Sequence, residues 1–215
     1  MTGYAAAERI ALCELFDALG PDAPTLCEGW TTYDLAAHLA VRDRNYLAAP
    51  GYLLSSHLPS LADHTAKIER EYRATHSYPE CVQVVRSGPP AWGPVGMPVV
   101  RESVNLLEYV IHHEDVRRAQ PGWQPREVSP ELADAVWARL RLVGRMLFRK
   151  APVGVRMQRT GGEPTRVRSG TPEAVVVGEP IELALLAYNR RDVARVSYEG
   201  DPDAVNRLRV SRLGL

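Results

Sequence analysis

Up to about residue 150, apolar residues recur along the chain at the spacing of amphipathic α-helices. In the first segment Leu12, Phe16 and Leu19 fall on one helical face, and Gly20 and Pro21 end the pattern. The same reasoning predicts helices over residues 2–19, 32–48, 60–75, 79–86, 99–119 and 130–150. The pattern therefore predicts an all-helical domain over residues 1–150.

After Ala151 and Pro152 the pattern changes to the alternation of β-strands, as in the segment VGVRMQR. Gly161 and Gly162 mark a turn. Strands are predicted over residues 153–159, 165–168, 174–177 and 193–198, with helices over 179–189 and 202–208. Residues 151–215 are therefore expected to form a small α/β domain, and the fold class is α+β overall.

Composition narrows the function without defining it. The chain has 215 residues, of which 45% are apolar, and its 26 basic residues balance its 26 acidic ones. This balance argues against nucleic acid as the main partner. No secretory signal pattern and no apolar run of roughly 18 residues is present, so no membrane span is expected. Three widely spaced cysteines do not suggest a disulfide framework, and we expect a reducing cytoplasm.

The segment NLLEYVIHHEDVRR, residues 105–118, places charged residues inside an apolar helical pattern. Glu108 and His112 are four residues apart and so share a helix face, and Asp115 follows on that face. A carboxylate and an imidazole that point together into a helical bundle form half of a metal site. His38, on the helix predicted over residues 32–48, is the candidate for the other half.

The predicted ligands are His38, Glu108 and His112, three groups that would leave a coordination position open, as catalytic zinc requires. Asp115 would accept a hydrogen bond from a ligating imidazole and fix its tautomer. His113 and Glu114 point elsewhere around the helix, although a register error would exchange the roles. The alternative interpretation is a solvated charged face, to which Arg117 and Arg118 would contribute.

These motifs resemble a known family. GWTTYDLAAHL together with NLLEYVIHHEDVRR resembles the metal-binding motifs of the DinB-like superfamily, in particular its mycothiol-dependent maleylpyruvate isomerase branch. The residues that match in order and spacing are Trp30, Asp34, His38, Glu108, His112 and Asp115. PTLCEGWTTYDLAAHL, RSGPPAW and EDVRRAQPGWQPRE look closer still to a subgroup of that branch described only as metal-binding proteins.

The resemblance extends over nearly the whole chain, because VVVGEPIELALLAYNRRDVARVSYEGDPDAV looks like the small C-terminal α/β domain of these enzymes. It implies a DinB-like up-and-down bundle with a divalent metal at its mouth, zinc above all, and mycothiol as thiol cofactor. A dication lowers the pKa of a bound thiol, so the nucleophilic thiolate exists at neutral pH. The implied partners are a small-molecule substrate and a low-molecular-weight thiol, in an isomerase or an S-transferase.

Arg190 stands where this family often has an arginine after glycine, and the resemblance makes it a candidate catalytic residue that clamps the substrate anion. Here Asn189 replaces the glycine, although asparagine also tolerates a left-handed helix end. The simpler interpretation is an arginine that interacts favourably with the helix dipole. Arg42 could also bind an anion, but a surface ion pair is the preferred interpretation.

Two further residues have simple interpretations. Trp30 is expected to pack ahead of its helix, and Cys27 to be a small buried apolar residue rather than a reactive thiol.

Two functional hypotheses remain. The first is a thiol-dependent metalloenzyme, and the second is a non-catalytic metal-binding or ligand-sensing module. A fourth ligand from Asp115 or His113 would favour the second, because closed four-ligand sites are structural. A bundle without metal is a third, weaker interpretation. Zinc suits two imidazoles and a carboxylate, but so do iron and nickel. The sequence carries no signal for the oligomeric state.

Overall fold

The computed structural model describes residues 3–45, 59–93 and 98–214, and contacts divide the chain into two compact units, Met1–Pro125 and Arg126–Leu215. The helices of the first unit are α1 Tyr4–Leu19, α2 Thr32–Arg44, α3 Pro59–Thr75, α4 Tyr78–Ser87 and α5 Pro98–Arg117. Helix α1 packs against α4 and α5, and α2 packs against α3 and α4. The first unit is therefore a helical bundle. Among the described helices, none is both long enough and apolar enough to cross a membrane.

Helix α2 begins with a capping box. The backbone N–H of Thr31 donates to Asp34 Oδ2 over 2.9 Å, and the N–H of Asp34 donates to Thr31 Oγ1 over 3.5 Å. These two hydrogen bonds satisfy backbone and side-chain groups at the start of the helix. Beyond it, Leu35 and Leu39 are fully buried. Because the cap and these two side chains fix the rotation of the helix, they also fix the direction in which His38 points.

The end of α2 differs from the sequence prediction. The apolar pattern predicted a helix to residue 48, whereas α2 ends at Arg44 and Asn45 is extended, with φ −109° and ψ 96°. Asparagine is a weak helix former, which is consistent with the earlier end. Residues 46–48 lie outside the described part of the chain.

Helix α5, Pro98–Arg117, agrees closely with the predicted range of 99–119. Between Asn105 and Val116 every residue is buried except Glu108 and His112. These two residues lie one helical turn apart, so between residues 105 and 116 a single stripe of the helix is partly open to solvent. Most side chains of this segment are therefore packed inside the protein, and the Glu108 carboxylate and the His112 imidazole are the ones that reach the surface.

The second unit contains α6 Pro130–Leu147, β1 Gly154–Arg159, β2 Thr165–Arg168, β3 Glu173–Gly178, α7 Pro180–Ala187, β4 Val196–Gly200 and α8 Pro202–Val210. The strands form one sheet in the order β2-β1-β3-β4. Strands β1 and β3 are parallel, and the outer pairs are antiparallel. All residues of α7 are buried, which explains its continuous apolar sequence.

The end of α7 also differs from the prediction, which extended the helix to residue 189. The helix ends at Ala187, and Asn189 has a positive φ of 65°. The N–H of Asn189 donates to Leu186 O over 3.0 Å, and the N–H of Arg190 donates to Leu185 O over 2.8 Å. This is a Schellman motif, with asparagine in the position that usually holds glycine. The chain turns after it, so β4 begins later than the predicted residue 193.

Helix α6 packs against α7 and β2, in the second unit. Inside that unit a Cβ at Gly144 would lie only 2.7 Å from Val167 Cγ1, so α6 approaches the sheet closely. The division by contacts therefore falls before α6, whereas the sequence pattern changes after it, near residue 150. The predicted fold class is confirmed: a helical N-terminal part precedes a small α/β part, and the whole is α+β.

Candidate metal centre

The three predicted ligands lie together between α2 and α5. His38 Nε2 is 3.6 Å from Glu108 Oε1, and His112 Nε2 is 3.4 Å from the same oxygen. One ligand atom from each of the three residues lies within 4.8 Å of the others. Two imidazole nitrogens thus converge on one carboxylate oxygen, an arrangement that could hold a metal ion.

A second carboxylate orients each imidazole. His38 Nδ1 lies 2.7 Å from Glu69 Oε1 of α3, and His112 Nδ1 lies 2.9 Å from Asp115 Oδ2. An ionised carboxylate can only accept a hydrogen bond, so Nδ1 is the donor in both of these contacts. Both Nε2 atoms therefore face Glu108. This pattern of carboxylate, histidine and metal is the usual one at metal sites.

Asp115 lies where the sequence predicted it, whereas Glu69 was missed. Glu69 belongs to the polar face of α3 and is separated by 31 positions from the histidine that it contacts. One acidic residue among several on a polar helix gives no signal of such a contact. Only the packing of α2 against α3 reveals it.

Arg42 also belongs to the site, contrary to the expected surface ion pair. Its side chain is 9% exposed, its Nε lies 3.1 Å from Glu108 Oε1, and its Nη1 donates to Asn105 Oδ1 over 2.9 Å. Behind it the hydroxyl of Tyr109 donates to Asp43 Oδ2 over 2.9 Å. Burial raises the pKa of Asp43 and, together with the Asp43 carboxylate, raises that of Tyr109 well above its usual range.

The charges of the site are strongly coupled. Burial opposes the ionisation of Glu108, but Arg42 and the two histidines outweigh it and hold the pKa of that carboxyl well below its ordinary value. Burial likewise opposes protonation of His38, yet the nearby Glu108 carboxylate and the hydrogen bond with Glu69 raise its pKa. The pKa of His112 is raised well above its ordinary value by the same balance, in which Asp115 is the strongest favourable partner. The three carboxylates thus favour positive charge on both rings.

His113 and Glu114 of α5 face away from this cluster. His113 Nδ1 lies 3.0 Å from Glu8 Oε2 of α1, and both residues are buried. Glu114 is fully buried and accepts hydrogen bonds from Arg118 Nε, over 2.6 Å, and from Arg117. His113, Glu114 and Arg118 therefore belong to the packed interior and not to a solvated charged face. His113 is also too far round the helix to complete a ligand shell at Glu108.

The loop of residues 24–31 covers the other side of the histidines. The Trp30 ring packs 5.1 Å from the ring of His38, in agreement with its expected packing role. Cys27 is half-buried, and its Sγ donates to Asp115 Oδ2 over 3.3 Å. It is therefore more than the small buried apolar residue that was expected. Cys27, His112 and Asp115 form a second group with ligand atoms within 4.8 Å of one another.

Arg190 follows the Schellman motif in the second unit, and its Nη1 donates to Tyr188 O over 2.8 Å. This contact holds the guanidinium close to the end of α7. Its assignment as an anion clamp stays a prediction.

No family model matches the sequence, and no curated protein matches it significantly. Among solved structures, the crystal structure of the mycothiol-dependent maleylpyruvate isomerase matches with a TM-score of 0.58 and 14% sequence identity. The match covers 92% of this chain and 91% of that one. At this identity the likeness shows the fold alone. The chain shares the fold of that isomerase, as its motifs predicted.

Proposed function

We propose that His38, Glu108 and His112 bind a divalent metal ion, zinc before nickel or iron, in a thiol-dependent isomerase or S-transferase. One observation carries the proposal: both Nε2 atoms converge on one Glu108 oxygen, while both Nδ1 atoms are held by other carboxylates. This is the donor set and the orientation that zinc uses in catalytic sites.

The charges of the site fit a dication. In the metal-free chain the raised pKa values of His38 and His112 favour two imidazolium rings around the Glu108 carboxylate. Metal ligation requires neutral imidazoles, so binding would release their protons. The two protons that leave the imidazolium rings and the metal ion that binds both carry a charge of +2. The net charge next to the surrounding carboxylates therefore stays the same.

The protein groups hold this arrangement in place. Glu69 and Asp115 keep the Nδ1 protons and so direct Nε2 of each ring towards Glu108. Arg42 anchors Glu108 through Nε and is anchored in turn by Asn105. The Glu108 side chain remains 24% exposed, so a small molecule can reach the opening. When bound, a divalent metal at this opening would supply the Lewis acidity that keeps a thiol ionised at neutral pH.

The fold and the motifs support the proposal of a thiol cofactor and an acidic substrate. The structural neighbour is a mycothiol-dependent maleylpyruvate isomerase, which supports mycothiol or a similar low-molecular-weight thiol and a small acidic substrate. A thiolate can add to an activated double bond, permit rotation and leave again, or it can remain attached in an S-transfer. We assign the substrate carboxylate to Arg190. We place the protein in the cytoplasm, where its three cysteine thiols would stay reduced.

The second candidate is a non-catalytic metal-binding or ligand-sensing module. It is favoured by the group formed by Cys27, His112 and Asp115, which could close a ligand shell. Against it, Asp115 lies at His112 Nδ1, on the other side of the ring from the Nε2 that faces Glu108. The first candidate therefore fits the geometry better.

Thiol binding to the metal separates the two candidates. We would load the protein with cobalt(II), titrate it with mycothiol, and follow the sulfur-to-cobalt charge-transfer absorption. The enzyme hypothesis predicts a band that appears with the thiol and is missing in Glu108→Gln, followed by thiol-dependent turnover of maleylpyruvate or a related unsaturated acid. A loaded protein that never gives this band and turns over none of these acids would favour the non-catalytic module.

A further inference from the structure

The loop of residues 24–31 is built to hold Cys27 in place. Its backbone N–H donates to Thr25 Oγ1 over 3.2 Å, and its carbonyl accepts from the N–H of Trp30 over 2.9 Å. Gly29, with φ 75°, supplies the positive φ that this tight turn needs. The loop is also tied to α5, because Leu26 N donates to Asp115 O over 3.0 Å. The position of the thiol is therefore determined by the loop backbone.

The thiol reaches the carboxylate that orients His112. Cys27 Sγ lies 3.3 Å from Asp115 Oδ2, the same oxygen that lies 2.9 Å from His112 Nδ1. The Asp115 side chain is fully buried, so hydrogen bonds from the protein rather than bulk water determine where its carboxylate points. A donor on that oxygen restricts the rotation of the carboxylate and, through it, the orientation of the imidazole.

We propose that Cys27 is a positioning residue that fixes the His112 imidazole through Asp115. The role of Cys27 at a metal ion rests on the proposed function, but its role in orienting the ring does not. It requires only that the thiol donates to Asp115 and that Asp115 accepts from His112. The thiol is thus part of the support of the site, and not a ligand or a nucleophile.

The same loop supports the other histidine by a different contact. Trp30 follows Cys27 in the tight turn and packs its ring 5.1 Å from that of His38, at an angle of 54°. One short loop therefore contacts Asp115, the partner of His112, and the ring of His38.

The first test uses metal-free protein and nitrogen-15-labelled histidine. The Nδ1–H signal of His112 should be visible and slow to exchange in the wild-type protein, broadened or lost in Cys27→Ala, and restored in Cys27→Ser, which keeps a donor at the same position. Cys81→Ala is the matched control. Burial raises the pKa of the Cys81 thiol to about 11, and that residue lies on α4. This control should leave the signal unchanged.

The second test measures zinc affinity by competition with a chromophoric chelator in the same four proteins. Cys27→Ala should weaken binding by up to about tenfold, less than the roughly 10- to 100-fold expected when a direct partner such as Asp115 is lost. Cys27→Ser should bind as the wild type does. The rescue by serine distinguishes positioning from mere filling of space, because alanine and serine are both smaller than cysteine.

The outcomes separate this inference from the proposed function. An altered His112 signal in Cys27→Ala, with no zinc bound to any of the proteins, would support the positioning role and overturn the proposed function. Zinc binding with an identical His112 signal and identical affinity in Cys27→Ala would overturn the positioning role alone. A second zinc ion that is lost in both Cys27→Ala and Cys27→Ser would also overturn it, because Cys27 would then be a ligand.

Discussion

Helix α5 carries two polar clusters on different faces, and they are neutralised in different ways. In the Glu114 cluster, a fully buried carboxylate accepts from Arg118 and Arg117, whose guanidinium groups keep their charge at every physiological pH. In the histidine cluster, formed by His38, Glu69, Glu108, His112 and Asp115, part of the positive charge comes from imidazoles. Imidazole protons can be exchanged for a metal ion.

This difference distinguishes a structural cluster from a candidate functional one. Both clusters have members on α5 and both contain buried or half-buried charges, so the presence of charge does not separate them. The Glu114 carboxylate and the Arg118 guanidinium are enclosed, with Arg118 only 3% exposed, whereas the Glu108 carboxylate and the His112 imidazole are partly exposed. Replaceable positive charge next to an opening is what indicates a binding site here.

The largest effect should come from the Glu114 cluster. Glu114→Ala leaves the buried Arg118 guanidinium without its carboxylate, which should lower the free energy of unfolding by about 3–5 kcal/mol. Urea denaturation of the metal-free protein measures this loss. Glu71→Ala, which removes an exposed partner of Lys67, should change stability by less than about 1 kcal/mol. Zinc affinity of the folded Glu114→Ala protein should stay close to that of the wild type, and a large loss there would contradict the separation of the two clusters.

Glu108→Gln should have the opposite effects: a large loss of zinc affinity and a small loss of stability. It removes the carboxylate on which both Nε2 atoms converge, so zinc affinity should fall by more than about 100-fold, since a direct ligand is worth more than its supporting partners. Titration with a competing chelator measures the affinity, and urea denaturation should show a much smaller loss of stability than in Glu114→Ala. An unchanged affinity would remove Glu108 from the ligand set.

The supporting carboxylates should matter less than the ligand. Glu69→Gln and Asp115→Asn keep the size of the side chain but weaken the hold on Nδ1, so each should reduce zinc affinity by about 10- to 100-fold. The matched control is Glu71→Gln on the exposed face of α3. If Glu69→Gln bound zinc as tightly as this control, the contact with His38 would have no role in orienting the ring.

The smallest effect concerns pH. The pKa values of His38 and His112 are raised in the folded protein, so protonation of these two rings stabilises the metal-free protein. This stabilisation is fully present below the ordinary imidazole pKa of about 6.5. It is lost as the pH rises through the folded values, so the metal-free protein should become less stable above about pH 6.5. Urea denaturation across this range, for wild type and His112→Ala, measures the slope. The variant should show a flatter curve, and equal curves would contradict the coupling.

The sequence predicted which candidate ligands share a helix face, because their spacing is a local property. Glu108, His112 and Asp115 share one helix face by periodicity alone, and the motif around His38 supplied the second helix. The same periodicity placed His113 away from them, where the structure shows it against Glu8. The period of an α-helix is thus enough to tell which of several adjacent charged residues face the site and which face another helix.

The supports of the site were not predictable in the same way. Glu69 and Arg42 reach their partners through the packing of helices that are distant in sequence, and the loop of Cys27 reaches Asp115 across 88 positions. The helical period relates residues within one helix and gives no information about residues on distant segments. The placement of α6 with the sheet has the same cause, because the change from helix to strand pattern shows where secondary structure changes and not which elements share a core.

The most direct test of the account is the metal content of protein purified without a metal-binding tag. Elemental mass spectrometry would be applied to wild type, His38→Ala and His112→Ala, with His64→Ala as a control at an exposed histidine of α3. The account predicts about one equivalent of divalent metal in the wild type and the control, and its loss in both cluster variants. Wild-type protein that holds no metal, even after reconstitution with zinc, nickel or iron, would contradict the central claim.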